Sequence, residues 1–136
     1  MAALAGITAV RPTANTITVP NAAYGATISA GNPVYKDPAD NEWKLAGATS
    51  ATLAAARGIA MTPGVDGGYG VVAIGGNIIL VGTTMAVGEP YAVGATAGQI
   101  VPETDLASTN YVTRLGTAAT TTQLNLSIQN TGIQHA

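Results

Sequence analysis

Short runs of apolar residues, separated by turn-forming residues, recur along the whole chain. The clearest run is Gln123-Leu-Asn-Leu-Ser-Ile-Gln129, in which polar and apolar residues alternate without a break. Because side chains alternate between the two faces of a strand, Leu124, Leu126 and Ile128 are predicted to share one buried face. The same reasoning predicts strands over Thr16–Val19, Ala26–Ile28, Val34–Lys36, Glu42–Leu45, Arg57–Met61, Tyr69–Ile74, Ile78–Val81, Tyr91–Val93, Gln99–Val101, Asn110–Leu115 and Gln123–Gln129.

Many short strands with Gly and Pro between them are typical of an all-β fold, a small barrel or sandwich of antiparallel strands. One helical segment of about two turns is predicted at residues 50–57, with Ser50 as its N-cap. Residues 67–88 carry no charge and are long enough to raise the question of a membrane span. Their many glycines would be costly in a helix, so we predict two strands that meet at a turn or bulge at Gly75-Gly76-Asn77, and no membrane partner.

A nine-residue pattern, Gly-x-Thr-x-x-x-Gly-x-Pro, occurs twice with an offset of 57 residues. The copies begin at Gly25 and Gly82. The similarity continues downstream, where Tyr35 is echoed by Tyr91 and Arg57-Gly-Ile-Ala60 by Arg114-Leu-Gly-Thr-Ala118. Self-similarity at a fixed period indicates a repeated structural unit. The pattern therefore predicts an internal duplication, with similar halves at about 25–81 and 82–134.

The length of 136 residues fits a single domain with a core of its own. Residues 21–136 are predicted to form this β domain, and residues 1–20 an extended arm that contacts a neighbouring subunit. An isolated arm could not bury its apolar side chains. We therefore predict that subunit contacts include residues of the arm and three large aromatics: Leu4, Ile7, Val10, Tyr35, Trp43 and Tyr91. Burial in the core is the other default role of the aromatics.

Charged residues make up 9% of the chain, against about 25% in ordinary soluble domains. A chain with so little charge must cover its surface with partners or wet it with Thr, Ser, Asn and Gln, so an oligomer or a surface-coating protein is expected. The five Lys and Arg residues are scattered singly, whereas nucleic-acid binding needs clustered cations. We expect no nucleic-acid partner. Cysteine is absent, which excludes disulfides and thiolate metal sites.

Candidate chemistry is sparse. The one histidine, His135, lies next to the C-terminus, where chain ends fray, and is a poor catalytic base. Asp37, Asp40 and Glu42 gather carboxylates in one short segment, but their spacing does not match a calcium loop and fits a turn better. The glycine-rich stretch 64–70 is not followed by a helix and fits a hairpin turn, not a phosphate site. We expect no cofactor and no enzyme activity.

Two arginines stand at equivalent points of the repeat. The symmetry of Arg57 and Arg114 favours a structural role, in which each pairs with an acid such as Asp66, Glu103 or Asp105. A catalytic arginine is the weaker alternative.

Several of these segments together resemble bacteriophage capsid decoration (cement) proteins. The resemblance spans roughly residues 25–130, in loose spacing that also occurs in other phage surface proteins such as fibre and tail components. It is carried by Gly31-Asn-Pro-Val-Tyr-Lys-Asp-Pro-Ala-Asp-Asn-Glu-Trp-Lys-Leu-Ala46, Ala54-Ala-Ala-Arg-Gly-Ile-Ala60, Gly88-Glu-Pro-Tyr91, Thr96-Ala-Gly-Gln-Ile-Val-Pro102 and Tyr111-Val-Thr-Arg-Leu-Gly-Thr-Ala118.

The resemblance implies a small β module made in the host cytoplasm and placed on the outer surface of the virion. Its expected partners are the major capsid protein and itself, as a homotrimer that bridges and stabilises capsid subunits. A phage tail or fibre module that binds a host receptor is the alternative. No heptad or fibrous repeat is present, which counts against it.

Overall fold

The fold is built from ten antiparallel strands in a curled half-barrel, as a computed structural model of residues 3–135 describes it. The all-β prediction is confirmed. The strands are β1 Ala9–Pro12, β2 Ile17–Ala23, β3 Pro33–Lys36, β4 Trp43–Leu45, β5 Gly58–Ala60, β6 Tyr69–Val81, β7 Pro90–Val93, β8 Ile100–Pro102, β9 Tyr111–Ala118 and β10 Gln123–Gln134. A short helix, α1 (Ala51–Ala54), and a single 3-10 turn, Glu103–Asp105, complete the elements.

The long central strand β6 joins the two parts of the molecule. Its first part pairs with β5 and β2, and its second part pairs with β10 and β1. The strand order is β4-β3-β5-β6-β10-β9-β7-β8, with β1 and β2 also paired to β6. Gly76, at φ +79°, lies where the partners change. The two strands predicted at 69–74 and 78–81 are therefore one strand, and the expected irregularity lies inside it.

The duplication predicted from the sequence is visible in the strand register. We call residues 17–75 the first unit and residues 76–134 the second unit. Each residue pair between β3 and β4 recurs 57 residues later between β7 and β8. The equivalent pairs are Val34–Leu45 and Tyr91–Pro102, Tyr35–Lys44 and Ala92–Val101, and Lys36–Trp43 and Val93–Ile100. Val72 of β6 pairs with Val19 of β2 as Leu124 of β10 pairs with Ile78 of β6, so β6 contributes to both units and the boundary between them lies within it, not at residues 81 and 82.

The turns that carry the nine-residue pattern have the same backbone hydrogen bonds in both units. Ile28 donates to the carbonyl of Gly64 at 2.9 Å, and Met85 donates to that of Thr121 at 2.8 Å. Ile28 and Met85 are both buried. The two copies of the pattern therefore agree in this part of the turn. They differ at their first glycine, since Gly82 has a positive φ of +97° and Gly25 does not.

The second unit differs from the first by a bulge in β9. Tyr91 pairs with Gly116 and Ala92 with Arg114, so Leu115 is an extra residue in the second unit. It shifts the register by one, which is why Gly58 corresponds to Gly116. The register also matches Tyr91 to Val34, so the expected correspondence of Tyr35 with Tyr91 is wrong by one position.

The main core lies between the two units. Residues of the first unit, among them Tyr35, Ile59 and Ala73, pack there against residues of the second, such as Leu115 and Leu124. A second cluster fills the inside of the first unit; it contains Ala22, Tyr24, Ile28, Val34, Trp43, Ala60 and Val72. A third, smaller cluster contains Ala48, Ala92, Val101, Leu106 and Val112.

The N-terminal segment packs onto its own chain. Strand β1 pairs with residues 78–81 of β6, and Leu4 donates a backbone hydrogen bond to Ile100 at 2.8 Å. The predicted arm boundary at residue 20 falls inside β2. Contact of residues 1–20 with a neighbouring subunit stays a prediction. Burial of the apolar side chains does not require it, because the chain itself buries Val10 and partly covers Leu4 and Ile7.

The remaining differences from the predicted elements are local. Residues 26–28 form no strand, only an isolated bridge between Ile28 and Gly64. The predicted helix is present but short, and the Ser50 hydroxyl caps it by accepting from Leu53 N–H at 3.2 Å. No helix within residues 3–135 has the length and apolar character needed to cross a membrane.

Candidate interaction surface

Four of the six residues predicted at subunit contacts are core residues of the protomer. Tyr91 is 1% exposed, Trp43 4%, and Val10 and Tyr35 7% each. The three aromatics thus take the core role, which is the other default role of large aromatic side chains. Their side chains are already occupied by contacts within the chain, so they offer little surface to a partner.

Leu4 and Ile7 are half-buried and lie against the main core. Ile7 contacts the turn at Gly31, where a Cβ atom added to the glycine would lie 2.7 Å from the Ile7 side chain. Both residues also line a small hollow of about 170 Å³ beside Ile100. A role for them in contacts with another subunit stays a prediction.

A cleft of about 460 Å³ is lined mainly by residues of the first unit, together with two residues of β10. It combines apolar and cationic side chains. Its wall consists of Val19, Lys36, Trp43, Ala56, Arg57, Ile74, Ile128 and Asn130. We refer to this site as the cleft.

The alternation of side chains along β3 explains why Lys36 lines the cleft. Val34 lies in the cluster inside the first unit, and Tyr35 lies in the main core on the opposite face. Lys36 therefore returns to the inner face, opposite its strand partner Trp43. Arg57 is held beside the same strand because its backbone N–H donates to the Val34 carbonyl at 2.9 Å.

The two cations of the cleft differ from Lys44 and Arg114, which both form ion pairs. Arg114 forms an ion pair with Glu103, with a distance of 2.7 Å between Nη2 and Oε2, as the sequence predicts for this arginine. Among residues 3–135, neither Lys36 nor Arg57 forms an ion pair. The expectation of an acid partner for Arg57 is therefore wrong, because Ala46 stands where Glu103 stands in the second unit.

The acidic segment between β3 and β4 is a turn held by a lysine. Lys44 Nζ lies 2.8 Å from Asp37 Oδ2 and 3.0 Å from Asp40 Oδ2. The pKa of Asp37 is lowered chiefly by this hydrogen bond, whereas the pKa of Asp40 is lowered chiefly by the backbone N–H of Glu42 and then by Lys44. The same carboxylates raise the pKa of Lys44. Partial desolvation, followed by the charge of Asp40, raises the pKa of Glu42.

These contacts fit the turn interpretation of the acidic segment better than a metal site. The lysine ammonium occupies the position between the two aspartates that a cation would take. Within the described part of the chain, no three His, Cys, Asp or Glu side chains are grouped so that they could hold a metal ion.

The glycine-rich stretch 64–70 packs against an aromatic ring. A Cβ atom at Gly64 or Gly70 would lie within 2.5 Å of Tyr24 side-chain atoms, so these positions must stay small. The Tyr24 hydroxyl donates to the Thr62 carbonyl at 2.8 Å. Burial raises the pKa of Tyr24, with the hydrogen bond acting in the opposite direction. The stretch is thus structural, as the hairpin interpretation expects.

Large apolar side chains also remain on the surface. The most exposed are Ile17, Val65, Tyr69, Val87 and Ile133, each more than half accessible, and Ile74 at the cleft is 38% exposed. Scattered exposed apolar residues are normal on soluble proteins. Here they accompany a very low content of charge.

No protein-family model matches this sequence, and no curated protein matches it either. Sequence reasoning missed the cleft, although one signal was present: Lys36 and Trp43 flank a short turn that predicts a hairpin. Whether the two would face each other depended on the register.

Proposed function

We propose that this chain is a structural protein of a bacteriophage particle, a decoration or cement protein on the outer surface of the head. The observation that carries the proposal is the repeated β unit. The residues on which the resemblance to decoration proteins rests, including the turns at Gly31 and Gly88, are those that shape both units. The resemblance therefore involves residues that form the turns of both units, not one isolated motif.

Such a protein would act through contact area and copy number. Each chain would bind the major capsid protein, and a homotrimer would bridge neighbouring capsid subunits. Many modest contacts repeated by symmetry give avidity without chemistry. The low charge and the exposed apolar side chains of this chain are compatible with a surface that is covered in an assembly.

The arrangement of the charged residues also favours binding over catalysis. Asp37 and Asp40 form ion pairs with Lys44, and Glu103 forms one with Arg114. The aspartates paired with Lys44 have lowered pKa values, whereas a general acid at neutral pH needs a raised one. The pKa of Glu42 is raised, but this residue lies in the acidic turn and does not line the cleft.

The proposal is tested with phage particles that lack this chain. Particles without it should release their DNA at a lower temperature than intact particles, and adding the purified protein should restore the difference. Removal should depend only weakly on salt, because few and scattered charges produce no strong field. Equal heat stability with and without the protein, or release by moderate salt alone, would contradict the proposal and favour the tail or fibre alternative.

A further inference from the structure

The cleft of the first unit is the counterpart of a covered face in the second unit. The strand register relates four of its side chains to residues of the second unit. The corresponding pairs are Val19 and Ile78, Lys36 and Val93, Trp43 and Ile100, and Ile74 and Leu126. All four residues of the second unit belong to the main core and are at most 2% exposed.

The first unit itself covers that face in the second unit, through side chains such as Tyr35 and Ile59. Nothing within residues 3–135 covers the cleft in the same way, and Ile74 is 38% exposed where its counterpart Leu126 is 2% exposed. The two units therefore have equivalent faces: that of the second unit is covered within the protein, and that of the first unit is the open cleft.

The positive charges of the cleft restrict which kind of segment can bind there. Lys36 replaces the apolar Val93, and Arg57 lacks the acid partner that Arg114 has. Burying these cations under an apolar surface would leave them without compensation, which is costly. An occupant must therefore bring carboxylates to the cationic side and apolar side chains to Val19 and Ile74.

A second copy of this chain could stack on the cleft as the first unit stacks on the second, but it would not bring the required carboxylates and apolar side chains. The surface it would present is the outer face of the second unit, a shallow hollow formed by Arg114, Gly116, Thr117, Asn125, Ser127 and Gln129. This face is polar and carries a cation, Arg114, whose acid partner Glu103 is already occupied by that ion pair.

We propose that the cleft receives an acidic segment of the major capsid protein, in which carboxylates pair with Lys36 and Arg57 while neighbouring apolar side chains contact Val19 and Ile74. This inference rests on the proposed function and names the site and the chemistry of the contact. Trp43, the single tryptophan of the chain, lines the cleft and reports its occupancy.

The chemistry of the cleft is tested with the full chain and a short capped peptide of alternating Glu and Leu residues. The peptide should change the fluorescence of Trp43, and the peptide in which Lys replaces Glu should not. The double variant Lys36→Glu, Arg57→Glu should weaken binding by about tenfold or more. Arg11→Glu, at an exposed position of β1 outside the cleft, is the matched control and should leave binding within about twofold. Thermal unfolding of each variant checks that the fold is retained.

The identity of the occupant is tested with phage heads that lack this chain. Binding of the wild-type and Arg11→Glu proteins, with weaker binding of the double variant, is the expected result. If all three bind equally, the inference about the cleft is wrong and the proposed function stands. If the wild type does not bind, the proposed function fails, and the capsid protein as occupant fails with it, whatever the peptide does. A changed oligomeric state of the double variant in light scattering would identify a second copy as the occupant and overturn the inference.

Discussion

Gly31 and Gly88 occupy the same structural position in the two units. Both have a positive φ, +93° and +83° respectively. Each donates its backbone N–H at 2.8 Å to the carbonyl of the matching alanine, Ala60 in the first unit and Ala118 in the second. Each turn leads directly into a strand that begins with proline. This agreement in conformation is what the duplicated sequence pattern predicts.

Alanine at either glycine should destabilise the protein, and by different amounts. A non-glycine residue at positive φ costs about 1–3 kcal/mol. Gly88→Ala should show this cost alone, since the added Cβ would have no atom of residues 3–135 within 4 Å apart from its own residue and its two chain neighbours. Gly31→Ala should cost more because the added Cβ would lie 2.7 Å from Ile7. Urea unfolding measures both variants; equal stability losses would mean that the contact with Ile7 relaxes freely.

The two repeat-related arginines should differ in their contribution to stability. Arg114→Met should lower the free energy of unfolding by up to about 1 kcal/mol, because it breaks a partly exposed ion pair with Glu103. Arg57→Met should leave stability nearly unchanged, since Arg57 forms no ion pair with any residue that the structure describes. A double-mutant cycle with Glu103→Gln isolates the coupling at Arg114. A coupling of zero would show that the pair contributes nothing in solution.

Tyr24 should titrate above the ordinary range of tyrosine. Because burial favours its neutral form, its pKa in the folded state lies above that in the unfolded state. The resulting stabilisation is complete below about pH 10, the ordinary tyrosine pKa, and is lost as the pH rises through the raised value. Ultraviolet absorbance of the phenolates, compared between wild type and Tyr24→Phe, should show that this tyrosine ionises last.

The same substitution, Tyr24→Phe, also removes the hydrogen bond to Thr62. It should cost about 1 kcal/mol or more at neutral pH, because the carbonyl loses its donor. Tyr69→Phe is the matched control, since Tyr69 is 70% exposed. Similar effects of the two substitutions would contradict the structural role of Tyr24.

The N-terminal segment should contribute to the stability of its own chain. Val10→Ala should lower the free energy of unfolding by about 1–3 kcal/mol, as expected for a truncated core side chain. Val87→Ala, at a position 65% exposed, should be nearly neutral. Light scattering of both variants and of the wild type tests the separate prediction of a trimer. A wild type at 13.4 kDa would show that the chain alone does not form the predicted oligomer.

Local patterns account for the parts of the fold that the sequence predicted. Alternation in Gln123–Gln129 correctly placed Leu124 and Leu126 in the main core because a strand has only two faces. Gly and Pro marked the turns because few other residues adopt the required φ values. Ser50 marked the start of the helix because its hydroxyl can replace a missing backbone partner.

The candidate site could not be predicted in the same way. Tyr35 and Trp43 were expected at a subunit contact, but register and curvature put both in the protomer's own core. Which residues face each other depends on the pairing of strands, and that pairing leaves little local signal. Lys36 and Trp43 are an example, since only the register of β3 and β4 places them opposite each other.

The sequence by itself thus determined the fold class, most of the strands and the presence of two related units, because these follow from side-chain periodicity, turn conformation and repetition. Only the tertiary structure decided that β1 pairs with its own chain, that β6 is shared by both units, and that Lys36 and Arg57 meet at one cleft. These are long-range contacts. They are selected by the burial of apolar area across the whole molecule, to which each short segment contributes only a part.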